Sequence, residues 1–114
     1  MLEEGVEMSD LRWNREFALE QAADDEELLQ ELITIFKESS TSDFANLKQG
    51  ISKGDAAMGR SSAHSIKGAA ASLGFDGIRE VTEVMEADCR NGSLTVSTEL
   101  LPKLERLLTL LQDM

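Results

Sequence analysis

Apolar residues recur at helical spacing along almost the whole chain of 114 residues, and this periodicity restricts the fold more than any other feature. No segment alternates apolar and polar residues over enough positions to predict a β-strand. Four long amphipathic segments follow a short one, and turns of a few residues separate them. The sequence therefore predicts an all-α fold, namely an antiparallel up-down-up-down four-helix bundle with an additional short N-terminal helix.

The first half of the chain is predicted to form two helices. The short N-terminal helix is predicted from its bulky apolar residues, which are Leu11, Trp13, Phe17 and Leu19. Trp13 and Phe17 are expected to seal one end of the bundle. Asp24 is the expected N-cap of a long helix over residues 25–53. The Ser/Thr run at 39–42 consists of poor helix formers, so a kink or a short break is expected there.

The second half is predicted to form three helices, the first of which carries the candidate site described below. The next helix is predicted over residues 76–91, with Asp76 as its N-cap. Ser97 or Thr98 is expected to cap the last helix. Pro102 would then fall in its first turn, where a missing N–H group costs little.

Length and composition set the class of protein. The chain suits one domain, in which residues 1–23 form a lead and short helix and residues 24–114 form the bundle. One Cys and one His exclude a Cys/His zinc site and a disulfide, so Cys89 is expected to be a small buried hydrophobe and no metal is expected. Neither a signal segment nor a run of about 18 apolar residues is found, which favours a cytoplasmic protein without a membrane span.

The net charge of −11 excludes a typical nucleic-acid-binding protein, because the surface as a whole would repel phosphates. The charge is uneven, since residues 44–79 carry five basic and only two acidic side chains. The helix over 76–91 has a row of three acidic residues, Glu80, Glu83 and Glu86. This row is interpreted as a solvated face rather than a metal site.

The helix predicted over residues 55–73 presents the chain's one histidine to solvent. Its apolar stripe includes Ile66, Ala70 and Leu73, and His64 lies about 160° from the centre of that stripe. The residues that share this outer face are mostly small or basic: Ala57, Arg60, Ser61, Lys67, Gly68 and Ala71.

Gly68 and Lys67 suggest what the outer face does. An interior glycine costs a helix about 1 kcal/mol relative to alanine, and packing within the bundle gives no reason for one on an exposed face. A side chain at position 68 would obstruct whatever approaches His64, and the ammonium of Lys67 can reach back towards the imidazole. An imidazole with an ordinary pKa of about 6.5 is a nucleophile near neutral pH, and phosphorylation adds about two negative charges that an ammonium offsets. These residues favour reversible phosphorylation of His64 by a partner.

Residues 63–74, AHSIKGAAASLG, resemble the signature of histidine-containing phosphotransfer (HPt) domains, and the resemblance extends over about residues 24–112. It implies that His64 accepts a phosphoryl group from an aspartyl-phosphate on a response-regulator receiver domain and passes it to another receiver. It implies charge support from Lys67 and steric clearance at Gly68, and Arg60 and Ala71 are expected to face the phosphoryl group or the partner. A hybrid sensor histidine kinase is a further expected partner.

The same resemblance predicts a phosphoryl carrier rather than an enzyme, with no cofactor of its own and Mg²⁺ only on the partner receiver domain. A monomer is expected because the predicted bundle buries the apolar faces of its helices. Two alternatives remain open. The first is the HPt-like first domain of a chemotaxis-type histidine kinase, which residues 64–68 with Gly74 and Phe75 also resemble. The second is a helical adaptor that binds its partner without phosphorylation. The dimerisation domain of ordinary sensor kinases is disfavoured, because Ser65 rather than an acidic residue follows His64.

Overall fold

The computed structural model describes residues 7–114, and the first six residues of the predicted lead lie outside this range. A 3₁₀ helix at Met8–Leu11 precedes five α-helices: α1 Arg15–Gln21, α2 Glu26–Lys53, α3 Ala56–Ser72, α4 Asp76–Arg90 and α5 Thr95–Gln112. Around the bundle, α2 packs on α3, α3 on α4, α4 on α5, and α5 returns to α2. The predicted all-α bundle with a short N-terminal helix is confirmed, and none of the described helices is long and apolar enough to cross a membrane.

One apolar core joins all four long helices. Its largest fully buried side chains come from every helix of the bundle: Phe36, Leu47, Ile66, Ile78, Met85, Leu104, Leu107 and Leu111. Full burial of such a side chain stabilises the fold by about 1.5–3 kcal/mol. The buried side chains therefore determine which face of each helix points into the core and which face points outward.

The N-terminal segment closes one end of this core. The Trp13 ring stacks on Phe75 with 5.2 Å between ring centroids, and its Nε1–H donates to the Leu73 carbonyl at 2.9 Å. The expected sealing role of Trp13 is confirmed. Phe17 is 36% exposed, so it contributes less to this seal than expected. The buried residue of α1 is Ala18, which packs in a cluster with Leu29 and Ile33 of α2.

The predicted N-caps of α2 and α4 are each wrong by one residue. Asp24 has φ +61° and its N–H donates to the Leu19 carbonyl, so it belongs to the turn that ends α1. The N-cap of α2 is Asp25, whose carboxylate accepts from two backbone N–H groups. Asp76 is the first residue of α4 rather than its N-cap, since the buried Phe75 occupies the cap position.

The start of α5 also differs from the prediction. The helix begins at Thr95, so Ser97 lies inside it and Pro102 lies in its interior rather than its first turn. The Asp88 carboxylate of α4 accepts from the Ser97 N–H at 2.8 Å and from its hydroxyl at 2.9 Å. A side chain from a neighbouring helix therefore takes the place of the local cap expected at Ser97 or Thr98.

No break interrupts α2 at the Ser/Thr run. Three of these hydroxyls donate to carbonyls one turn earlier in the same helix, those of Ser39, Ser40 and Thr41. Because the hydroxyls bond within the helix, they do not draw the backbone away from it. The continuous α2 packs against α3, the helix that carries His64.

Candidate functional site

Small residues allow α3 to lie close to its neighbours and fix its rotation. A Cβ atom on Gly59 would lie 2.9 Å from the Cys89 Sγ atom of α4, so only glycine fits there without a shift. Ala63, Ile66 and Ala70 are fully buried on the same side of α3. The opposite side of α3 therefore faces solvent, as the sequence pattern predicts.

His64 stands on this outer side, and its side chain is 66% exposed. Its Nδ1 atom lies 2.8 Å from the Oε2 atom of Glu86 in α4. An ionised carboxylate only accepts hydrogen bonds, so Nδ1 must carry the proton. In the neutral ring the lone pair then lies on Nε2, the nitrogen that Glu86 does not contact. The predicted outward orientation of His64 is confirmed, and the carboxylate selects which nitrogen is nucleophilic.

Glu86 is the centre of the charged cluster, with only 5% of its side chain exposed. Its Oε1 atom lies 2.6 Å from the Lys67 Nζ atom, and its Oε2 atom lies 3.6 Å from a terminal guanidinium nitrogen of Arg90. Burial by itself raises the pKa of Glu86, but the contacts with Lys67 and His64 outweigh it and lower the pKa below its usual value. The carboxylate is therefore charged at neutral pH.

The interpretation of Glu86 as part of a solvated row is wrong. Glu80 and Glu83 are exposed, as expected, but Glu86 faces the contact between α4 and α3. The helical spacing contains a signal for this position, because Glu86 falls four residues after the buried Thr82 and three before the buried Cys89. A carboxylate inside an apolar stripe is costly unless it is paired, so its position indicates a partner.

Lys67 and Gly68 flank the imidazole in different ways. The Lys67 ammonium contacts Glu86, the carboxylate that also contacts His64, and the lysine side chain is only 28% exposed. A Cβ atom on Gly68 would meet no atom of residues 7–114 within 4 Å, so contacts in this range do not require glycine there. Ala71, one turn further along the same face, is also exposed. At Gly68 and Ala71 the surface next to His64 therefore has only small side chains and is open to solvent.

A groove of about 580 Å³ opens on the other side of the imidazole, between α3 and α4. Its walls include Ala57, Arg60 and Ser61 from α3, and Glu86, Cys89 and Arg90 from α4. Arg60, predicted as a binding residue, is thus on the same groove as His64. Cys89 is 4% exposed, so its expected burial is confirmed.

The region that contains these residues matches a known family. Residues 31–114, well over half of the chain, match the family model described as the Hpt domain. The matched range begins within α2 and includes His64, Lys67, Gly68 and Glu86. No curated protein and no solved structure gives a significant match to the chain.

Proposed function

The chain belongs to the Hpt domain family, whose members transfer phosphoryl groups through a histidine in phosphorelays, and we propose that His64 is the phosphoryl carrier in this chain. His64 accepts a phosphoryl group from an aspartyl-phosphate on a response-regulator receiver domain and passes it to a second receiver. The observation that carries this proposal is the imidazole itself, which is outward-facing, with Nδ1 bonded to Glu86 and Nε2 available.

In the transfer step, every bond that forms or breaks joins phosphorus to an atom of one of the two proteins. The Nε2 lone pair attacks phosphorus, a bond from nitrogen to phosphorus forms, and the bond from phosphorus to the aspartyl oxygen breaks. The aspartate leaves as a carboxylate. The proton on Nδ1 stays in place throughout, so the phosphorylated ring carries one positive charge beside the Glu86 carboxylate. Transfer to the next receiver reverses these changes.

Glu86 supports both directions of this step. Its negative charge stabilises the positive charge that develops on the ring during attack, and its hydrogen bond holds the ring in one orientation. Lys67 keeps the Glu86 carboxylate ionised in its buried position. Lys67 therefore acts on the imidazole through Glu86, which makes it a positioning residue.

The partner approaches over the open surface beside Gly68 and Ala71. In-line attack requires a clear path to Nε2, and a residue without a side chain at position 68 provides one. Receiver domains hold acidic side chains and Mg²⁺ at the aspartate, so Arg60 offers complementary charge and this chain needs no cofactor of its own. A hybrid sensor histidine kinase is one source of such a receiver. In this proposal the protein is a cytoplasmic monomer and a carrier, not an enzyme.

Incubation with a panel of phosphorylated receiver domains tests the proposal. We expect acid-labile phosphate to appear on the chain, and we expect none on a His64→Gln variant with unchanged helical circular dichroism. Label that persists in this variant would refute the assignment of His64. Phosphate supplied only by a chemotaxis-type kinase catalytic region would favour a kinase first domain, and receiver binding without any phosphate would favour an adaptor.

A further inference from the structure

One guanidinium on the groove between α3 and α4, that of Arg60, has no partner among residues 7–114. Arg60 makes no hydrogen bond and no ion pair with any residue between 7 and 114. Four other arginines each pair with a carboxylate: Arg12, Arg15, Arg79 and Arg90. Arg60 lies one turn before His64 on the outer face, and both side chains line the groove.

Arg90 faces the same groove from the opposite wall. Its guanidinium lies 3.6 Å from the Glu86 Oε2 atom, which is close enough for an ion pair but too far for a good hydrogen bond. The Oε2 atom is already bonded to His64 Nδ1. The side chain of Arg90 is 49% exposed, so its donors are accessible from the groove.

We propose that this groove binds the phosphoryl oxygens of phosphorylated His64, with Arg60 as the main donor and Arg90 as the second. The inference rests on the proposed function, because it concerns the phosphoryl group on the same histidine. A phosphoryl group presents three acceptor oxygens and close to two negative charges, and a guanidinium matches two of those oxygens at once. Glu86 pairs with both Lys67 and Arg90, so Arg60 is the cation on this groove that no carboxylate between residues 7 and 114 neutralises.

The charges around the groove favour a doubly charged phosphoryl group. Within residues 7–114, Glu86 is the one carboxylate that lines the groove, and His64 and Lys67 face its two oxygens. Asp43 of α2 accepts a hydrogen bond from Ser65 at 2.6 Å, on the other side of α3 from α4. The phosphoryl oxygens would therefore meet two guanidinium groups on the α4 side of His64, and the Gly68 side stays open for the partner.

Phosphorus NMR of the chemically phosphorylated chain tests this inference without any partner protein. Phosphoramidate serves as the donor: Nε2 attacks its phosphorus, the bond from phosphorus to the donor nitrogen breaks, and ammonia leaves. The ³¹P chemical shift of the phosphohistidine is then followed against pH. Opposite charges favour the dianionic form, so the last proton should leave at a lower pH in the wild type than in Arg60→Gln. We expect the midpoint to rise by about 0.5 pH unit or more in Arg60→Gln and further in a double variant with Arg90→Gln.

Arg79→Gln is the matched control, since it removes the same charge from α4 outside the groove and should leave the midpoint unchanged. Equal midpoints in the wild type, Arg60→Gln and the double variant would overturn the inference while the phosphohistidine itself upholds the carrier role. A wild-type chain in which neither phosphoramidate nor any receiver phosphorylates His64 would instead refute the proposed function. A slower transfer from receivers with an unchanged midpoint would show that Arg60 serves the partner and not the phosphoryl group.

Discussion

Replacing Glu86 with glutamine separates the charge of the buried side chain from its shape. In the protein the two carboxylate oxygens serve two different donors, Oε1 contacting Lys67 and Oε2 contacting His64. Glutamine offers one carbonyl oxygen and one NH₂ group, so only one of these donors keeps an acceptor of its own. When the glutamine carbonyl faces Lys67, its NH₂ group faces Nδ1 of His64 and favours the imidazole form that has its proton on Nε2. In that form Nε2 has no lone pair for attack.

The expected loss follows from the hydrogen bonds in this cluster. A hydrogen bond to a charged group contributes about 1.5–3 kcal/mol and one between neutral groups about 0.5–1.5 kcal/mol, so removing the charge costs roughly 1–2 kcal/mol when the ring becomes positive. Since about 1.4 kcal/mol corresponds to a tenfold change in rate, Glu86→Gln should slow phosphoryl transfer roughly 5- to 30-fold. The side chain is 5% exposed, so solvent replaces little of this loss.

The assay is rapid-quench transfer from one phosphorylated receiver domain under limiting carrier concentration. Glu83→Gln is the control, because it makes the same chemical change one turn earlier on α4 at an exposed position. We expect Glu83→Gln to transfer at the wild-type rate. A folded Glu86→Gln protein with a rate within twofold of the wild type would refute the role given to the Glu86 charge.

Three further predictions concern stability and access. Gly68→Ala should stabilise the fold by about 0.5–1 kcal/mol in denaturant unfolding, since the new Cβ atom contacts no atom of residues 7–114, and destabilisation by alanine would contradict this. Gly68→Leu should slow phosphoryl transfer from receiver domains. Gly59→Ala should destabilise by about 1–3 kcal/mol, because its Cβ would press on Cys89 Sγ, and an unchanged midpoint would contradict this. Finally, the pKa of Glu86 is lowered from 4.5 because the contacts with Lys67 and His64 outweigh burial. The stabilisation that Glu86 gives the fold is therefore complete above about pH 4.5 and is lost as the pH falls through the pKa of the folded state. The free energy of unfolding of Glu86→Gln should depend less on pH in this range than that of the wild type, and identical dependence would contradict the pairing.

The positions of His64 and Gly68 could be predicted because helical periodicity determines them locally. The buried stripe of α3 fixes which residues face outward, and the packed helix has the same rotation as the isolated pattern. The helix limits were predicted less well where a side chain from elsewhere caps the helix. Asp88 of α4 binds the first turn of α5 at Ser97, and the sequence around Ser97 does not indicate that contact.

Glu86 shows why the site was only partly predictable. A row of glutamates on a helix is usually a solvated face, and two of the three residues follow that expectation. The third is buried because α3 and α4 lie close together, with Gly59 against Cys89, and because Lys67 and His64 supply its partners across the contact. This arrangement depends on two helices at once, so the periodicity of either helix alone does not contain it.

The central claim, that Glu86 holds Nδ1 and leaves Nε2 to carry phosphorus, is tested most directly by NMR of the phosphorylated chain labelled with ¹⁵N at His64. Coupling between phosphorus and nitrogen identifies the modified atom. We predict that a receiver domain phosphorylates the chain once, with coupling to Nε2 and a retained proton on Nδ1. Coupling to Nδ1, or phosphate on a residue other than His64, would contradict the account.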